Sequence, residues 1–69
     1  MMERETRRLL ERIRKSRVKK KISQYDFALE LGVAPSHLYY IESKRVVPSA
    51  DLVVKIAKAL RIKPADLWR

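Results

Sequence analysis

Apolar residues recur along this chain with the spacing of α-helices. Thr6, Leu9, Leu10 and Ile13 fall at i, i+3, i+4 and i+7 with no Gly or Pro among them. That spacing predicts a first helix over about residues 3–17. Residues 18–21 (VKKK) read as a connector. Phe27, Ala28 and Leu31 then mark one face of a second helix. Ser23 stands at its N-cap, with Asp26 three residues on in the place of a capping-box acid, and Ile22 is spaced to staple onto Phe27. Gly32, the only glycine, follows where a helix C-terminus needs positive φ. Val33 and Ala34 make a turn. Pro35 fills the first position of a third helix, which needs no N–H, and Leu38 and Ile41 are its inward residues. A loop over 43–48 ends at a proline. Ser49 caps a fourth helix, Asp51 suits its first turn, and Leu52, Val53, Ile56, Ala57 and Leu60 form its apolar stripe. Ile62 and Lys63 are a short link, and Pro64 opens a last turn or two reaching residue 68. The reading is all-α, a compact five-helix bundle with no strands.

Helix, glycine turn, helix is the helix-turn-helix plan, whose second helix can enter a DNA major groove. With Leu38 and Ile41 turned inward, the outer face of the third helix centres on Ser36 and Tyr40, four apart and stacked one turn above the other. Pro35, His37 and Tyr39 flank them. Pro35, Ser36 and Tyr40 are therefore the expected base-reading set, and His37 and Tyr39 are expected at the DNA backbone. Ser36 discriminates bases weakly, and Tyr40 offers a ring to a thymine methyl or a hydroxyl to a phosphate. No Gln, Asn or Arg stands at these places, so base recognition leans on few hydrogen bonds or on residues elsewhere, such as Arg45. The competing reading of Tyr39 and Tyr40 is packing, half buried against the first or fourth helix, since amphipathic rings tolerate both settings.

Charge sharpens this picture. The net charge is +9, and residues 1–21 hold ten Lys or Arg against three Glu, hence +7 of it. Such a bias suggests a polyanion, nucleic acid or an acidic membrane, with a merely solvated helix face as the plain alternative. There is no cysteine, so neither a disulfide framework nor a thiolate metal site is available. His37 is the only histidine; without partners of the right kind it makes neither a metal site nor a catalytic dyad. No nucleophile–base pair points to an enzyme. No apolar run approaches the ~20 residues of a membrane span, and the N-terminus lacks a signal peptide's apolar stretch. A cytoplasmic protein without cofactor, metal or small-molecule ligand is expected. At 69 residues the chain has room for one domain, one that buries only about 60% of its unfolded surface. Leu67 is expected in the core. Trp68, with Ile62 or the end of the fourth helix beside it, is expected at a dimer interface, where Trp is enriched.

The stretch over residues 23–49 resembles the lambda-repressor/Cro-like helix-turn-helix domain, the Xre family. Ser23-Gln24 looks like its Ser/Thr-Gln opening, Phe27-Ala28 stands where it has Leu-Ala, and Leu31-Gly32-Val33 where it has Leu-Gly-Val. Leu38 and Ile41-Glu42 fall where it has two apolar residues and a Glu, and Pro48-Ser49 closes the loop in the same way. Ile13, Arg17, Ile56-Ala57 and Ala59-Leu60 fit its first and fourth helices. The resemblance covers about residues 9–68, which makes 9–69 the domain and 1–8 a basic extension of the first helix. It implies that Gln24, Ser43, Lys44 and Arg45 contact the sugar-phosphate backbone. It also implies a partly buried salt bridge between Arg17 and Glu42. This chain departs from the family at Lys21, Lys44 and Arg61, where Gly is frequent, and at Ala34, where a capping Ser or Thr is frequent.

Together these readings point to a sequence-specific regulator of transcription, a Cro/Xre-type repressor binding double-stranded DNA as a homodimer on a near-palindromic operator. Antitoxins and restriction-modification controller proteins share the same plan and stay open, as does a protein-interaction module with little DNA specificity. A basic amphipathic membrane helix over 3–17 ranks lower, because Leu9, Leu10 and Ile13 are needed for the bundle core.

Overall fold

The structure, a computed structural model, describes residues 2–68; residue 1 of the expected extension and residue 69 of the expected domain lie outside the described residues. Five helices follow one another: α1 (Arg4–Lys19), α2 (Gln24–Leu31), α3 (Pro35–Glu42), α4 (Ala50–Leu60) and α5 (Pro64–Leu67). α1 runs unbroken across the expected boundary at residue 8. It also runs further than the expected end, taking in Val18 and Lys19. The reason is local: lysine is a good helix former, and nothing in 18–19 breaks the hydrogen-bond ladder.

All four longer helices close in the same way. After α1, Lys21 turns to φ 60°, the Ile22 N–H donates to the Arg17 carbonyl (3.2 Å) and the Lys21 N–H to Val18 (2.9 Å). That pair of bonds is the Schellman closure, which satisfies carbonyls the helix leaves open. Gly32 does this after α2 at φ 74°, Lys44 after α3 at φ 67° and Arg61 after α4 at φ 59°. The expected caps are in place at two starts: Ser23 Oγ accepts from the Asp26 N–H (3.0 Å) and Ser49 Oγ from the Leu52 N–H (3.2 Å). Ala34, with no side chain to offer, caps α3 without a side-chain hydrogen bond.

The core draws on every helix. Leu9, Leu10 and Ile13 of α1 meet Phe27 and Ala28 of α2, Leu38 and Ile41 of α3, the α4 stripe and Leu67. Phe27 is fully buried and Ile22 packs against the same cluster, as a staple requires. Each fully buried Leu, Ile or Phe contributes roughly 1.5–3 kcal/mol of transfer free energy. α1 packs on α3, α4 and α5, and α2 packs on α3 and α4. That packing fixes α3 with its other side facing outward.

One polar contact crosses this apolar interior. Arg17 Nε donates to Glu42 Oε2 (2.7 Å) and Nη2 to Oε1 (3.0 Å), while Nη1 donates to the Ile22 carbonyl (2.6 Å). Both side chains are nearly dehydrated. The fork of a guanidinium matches a carboxylate in two parallel bonds, which is what a buried pair needs to offset its desolvation. Among the described residues no buried side-chain polar atom is left without a hydrogen-bond partner.

Candidate nucleic-acid interface

α3 buries Leu38, Ile41 and Glu42 and leaves Pro35, Ser36, Tyr39 and Tyr40 exposed, with His37 at the margin. Tyr39 and Tyr40 keep 49% and 41% of their surface, so each is half buried and neither belongs to the core cluster. Their rings meet edge to face at 5.7 Å, an arrangement aromatic pairs prefer. Ser36 and Tyr40 are thus both on the outer face and free of the core.

The turn after α3 folds back onto this face. The Arg45 N–H donates to the Tyr40 carbonyl (2.9 Å), and the same carbonyl accepts from Ser43 Oγ (3.3 Å). The Schellman closure therefore returns Arg45 to the last turn of the helix, where its guanidinium lies over the Tyr40 ring at 5.9 Å from the centroid. That is cation–π range. The sequence alone puts Arg45 in a backbone-contacting loop. It carries no signal that Arg45 and Tyr40 form one unit, because the unit depends on a left-handed lysine between them.

Gln24 and Lys44 have internal partners as well. Gln24 Nε2 donates to Glu42 Oε1 at 3.0 Å, which adds a third helix to the Arg17–Glu42 pair. One amide proton is used there, and Nε2 carries a second. Lys44 Nζ lies 3.6 Å from Glu11 Oε1 on α1. Glu11 is half exposed and Lys44 about a third, so water screens the pair, which is weak and open to exchange for another anion. Neither partnership is legible in the sequence, since Glu11 and Glu42 lie far along the chain from the residues they hold.

Of the expected dimer residues, Trp68 is half exposed. It lines an apolar groove with Val47, Pro48, Val53, Val54 and Pro64. Ile62 is partly exposed and packs against the core. The α4 residues beside Trp68 thus come from the start of that helix, not from its end, because α5 folds back past α1. Among the described residues no helix is long and apolar enough to cross a membrane, and no cluster of His, Cys, Asp or Glu has a metal-binding arrangement.

An outward helix held after a glycine turn, with Lys44 and Arg45 in the turn that follows it, defines a helix-turn-helix nucleic-acid-binding domain. The profile of the helix-turn-helix family matches residues 13–67. The chain belongs to that family, in its lambda-repressor/Xre branch. Among solved structures it is similar to the master regulator for biofilm formation SinR in complex with DNA. The identity is 29% and the TM-score 0.81, over 88% of this chain and 98% of that one. It is similar as well to the restriction-modification controller protein C.AhdI from Aeromonas hydrophila (28%, TM-score 0.82, 91% of this chain and 94% of that one). The clp gene regulator ClgR from Corynebacterium glutamicum aligns at 27% with a TM-score of 0.83, over 90% of this chain and 67% of that one. No curated protein sequence is significantly similar to the chain.

Proposed function

We propose that this chain is a sequence-specific DNA-binding regulator of transcription. It acts in the cytoplasm as a Cro-like repressor and binds a near-palindromic operator as a homodimer. The observation that carries the reading is the outer face of α3. Ser36 and Tyr40 stand clear of the core there, Arg45 is folded beside them, and a buried ion pair fixes the helix from behind. Support comes from SinR, a similar domain solved with DNA. A second reading, a controller protein of a restriction-modification system, is supported by the match over 94% of C.AhdI; it changes the regulated genes and not the chemistry of binding.

Roles follow from position. Pro35, Ser36 and Tyr40 face base edges; Gln24, His37, Tyr39, Ser43, Lys44 and Arg45 take the backbone. Phosphate contacts position the protein and base contacts specify the site. Selection of duplexes from a random pool by the purified protein tests this. A near-palindrome should be enriched, with half-sites one helical turn apart, about 34–36 Å. Affinity for it should fall about 10³–10⁵-fold between about 50 and 200 mM salt. A flat dependence on salt, or no enriched sequence, points instead to a protein-interaction module.

A further inference from the structure

Three of the four left-handed helix closures carry a cation where glycine fits without strain: Lys21, Lys44 and Arg61. A Cβ at φ near +60° crowds the following carbonyl, a crowding glycine avoids. Non-glycine residues held in this region concentrate at functional sites. Two of the three border the same structure. Lys21 precedes Ile22, whose carbonyl receives Arg17 Nη1 at 2.6 Å; the other Arg17 nitrogens hold Glu42, two residues before Lys44. Gln24, three residues after Lys21, donates to the same Glu42. Lys21 and Lys44 thus flank one bridge that fixes α3 from behind. Lys21 is exposed, and the ammonium of Lys44 rests on the exposed carboxylate of Glu11, 3.6 Å away. Arg61 closes α4, whose eleven residues span roughly 16 Å, and no residue of that closure belongs to the Arg17–Glu42 bridge.

We propose that Lys21 is a phosphate contact of the bound duplex, the counterpart of Lys44 across the Arg17–Glu42 bridge. Both turns keep lysine in a glycine conformation for the sake of that contact. This rests on the DNA-binding reading above. The rival explanation is that a cation at a helix C-terminus offsets the helix dipole. It applies to Arg61 as well as to the lysines, and it predicts weaker folding with binding unchanged.

Glycine substitution separates the two, because glycine takes the backbone conformation and removes the charge. Lys21→Gly, Lys44→Gly and Arg61→Gly are compared by thermal melt and by titration with a duplex selected by the wild-type protein. All three should melt roughly 2–8 °C higher. Lys21→Gly and Lys44→Gly should each make the plot of log K against log salt shallower. The slope changes by about 1 for each phosphate no longer neutralised, hence about 2 in a two-fold complex. Arg61→Gly should keep the wild-type slope, and so should Lys21→Arg. A slope for Lys21→Gly equal to that of wild type overturns the inference, as does a melting temperature that falls on that substitution. If wild-type binding is itself independent of salt, the DNA-binding reading fails first, and that result is recognisable without any variant.

Discussion

Arg17 turns inward while Arg14 and Lys19, its neighbours on α1, stay exposed. Its guanidinium is engaged on three nitrogens, two by Glu42 and one by the Ile22 carbonyl. Truncating it leaves the Glu42 carboxylate in an apolar setting with only Gln24 for company. Losing one partner of a buried pair costs about 3–5 kcal/mol, and a domain this small has little more than that in total. Arg17→Ala should therefore melt far below wild type, followed by circular dichroism, with little stability left at room temperature. Arg14→Ala and Lys19→Ala should stay within roughly 0.5 kcal/mol of wild type. Equal, small shifts in all three melts would demote Arg17 to one more surface charge.

At the scale of the element, α3 divides its labour between an outer face and the turn behind it. Ser36→Ala and Tyr40→Ala should change which duplexes are enriched while leaving non-specific affinity nearly intact, because base contacts carry the sequence information. Arg45→Ala should weaken binding to all sequences alike. Since Arg45 lies over the Tyr40 ring, Tyr40→Ala also frees Arg45, and the double variant should fall short of the sum of the two singles. A change in preferred bases for Arg45→Ala alone would place Arg45 in the groove. The helices themselves are legible from the 3.6-residue spacing of Leu9, Leu10 and Ile13 or of Leu52, Val53 and Ile56, and from Ser23, Gly32, Pro35 and Ser49 at their ends. The closures at Lys21, Lys44 and Arg61 are not legible from the residues themselves, because a lysine or arginine carries no turn signal. Only the family's glycines at those places hint at them. Pairings such as Gln24–Glu42 and Lys44–Glu11 join residues distant in sequence and depend on how the helices pack, which no local pattern encodes.

At the scale of the molecule, an apolar groove at Trp68 stands out on a chain of net charge +9. With the base contacts proposed for Ser36 and Tyr40, one copy would discriminate poorly, and a two-fold dimer would double those contacts. Such an interface is isologous, so a residue near the axis can meet its own copy. In the dimer we propose, Trp68, which shares its groove with Val54 and Val47, takes that place. Trp68→Ala should shift sedimentation toward monomer and weaken specific binding with helical content retained. A wild type that is monomeric at tens of micromolar, or a variant that unfolds before it dissociates, would return Trp68 to a structural role. The buried Arg17–Glu42 pair has a consequence at this scale too. Mobile ions largely screen exposed charges more than about 8–10 Å apart at physiological strength, but reach a dehydrated pair much less. The charges that repel one another across a +9 surface and those that hold the fold therefore answer differently to added electrolyte. Concentrated salt should quiet the self-repulsion and spare the internal bridge, so that the domain lets go of its duplex while its own melting temperature holds or rises. Release and unfolding are then separate responses to ionic strength, and the protein can shed DNA repeatedly without having to refold.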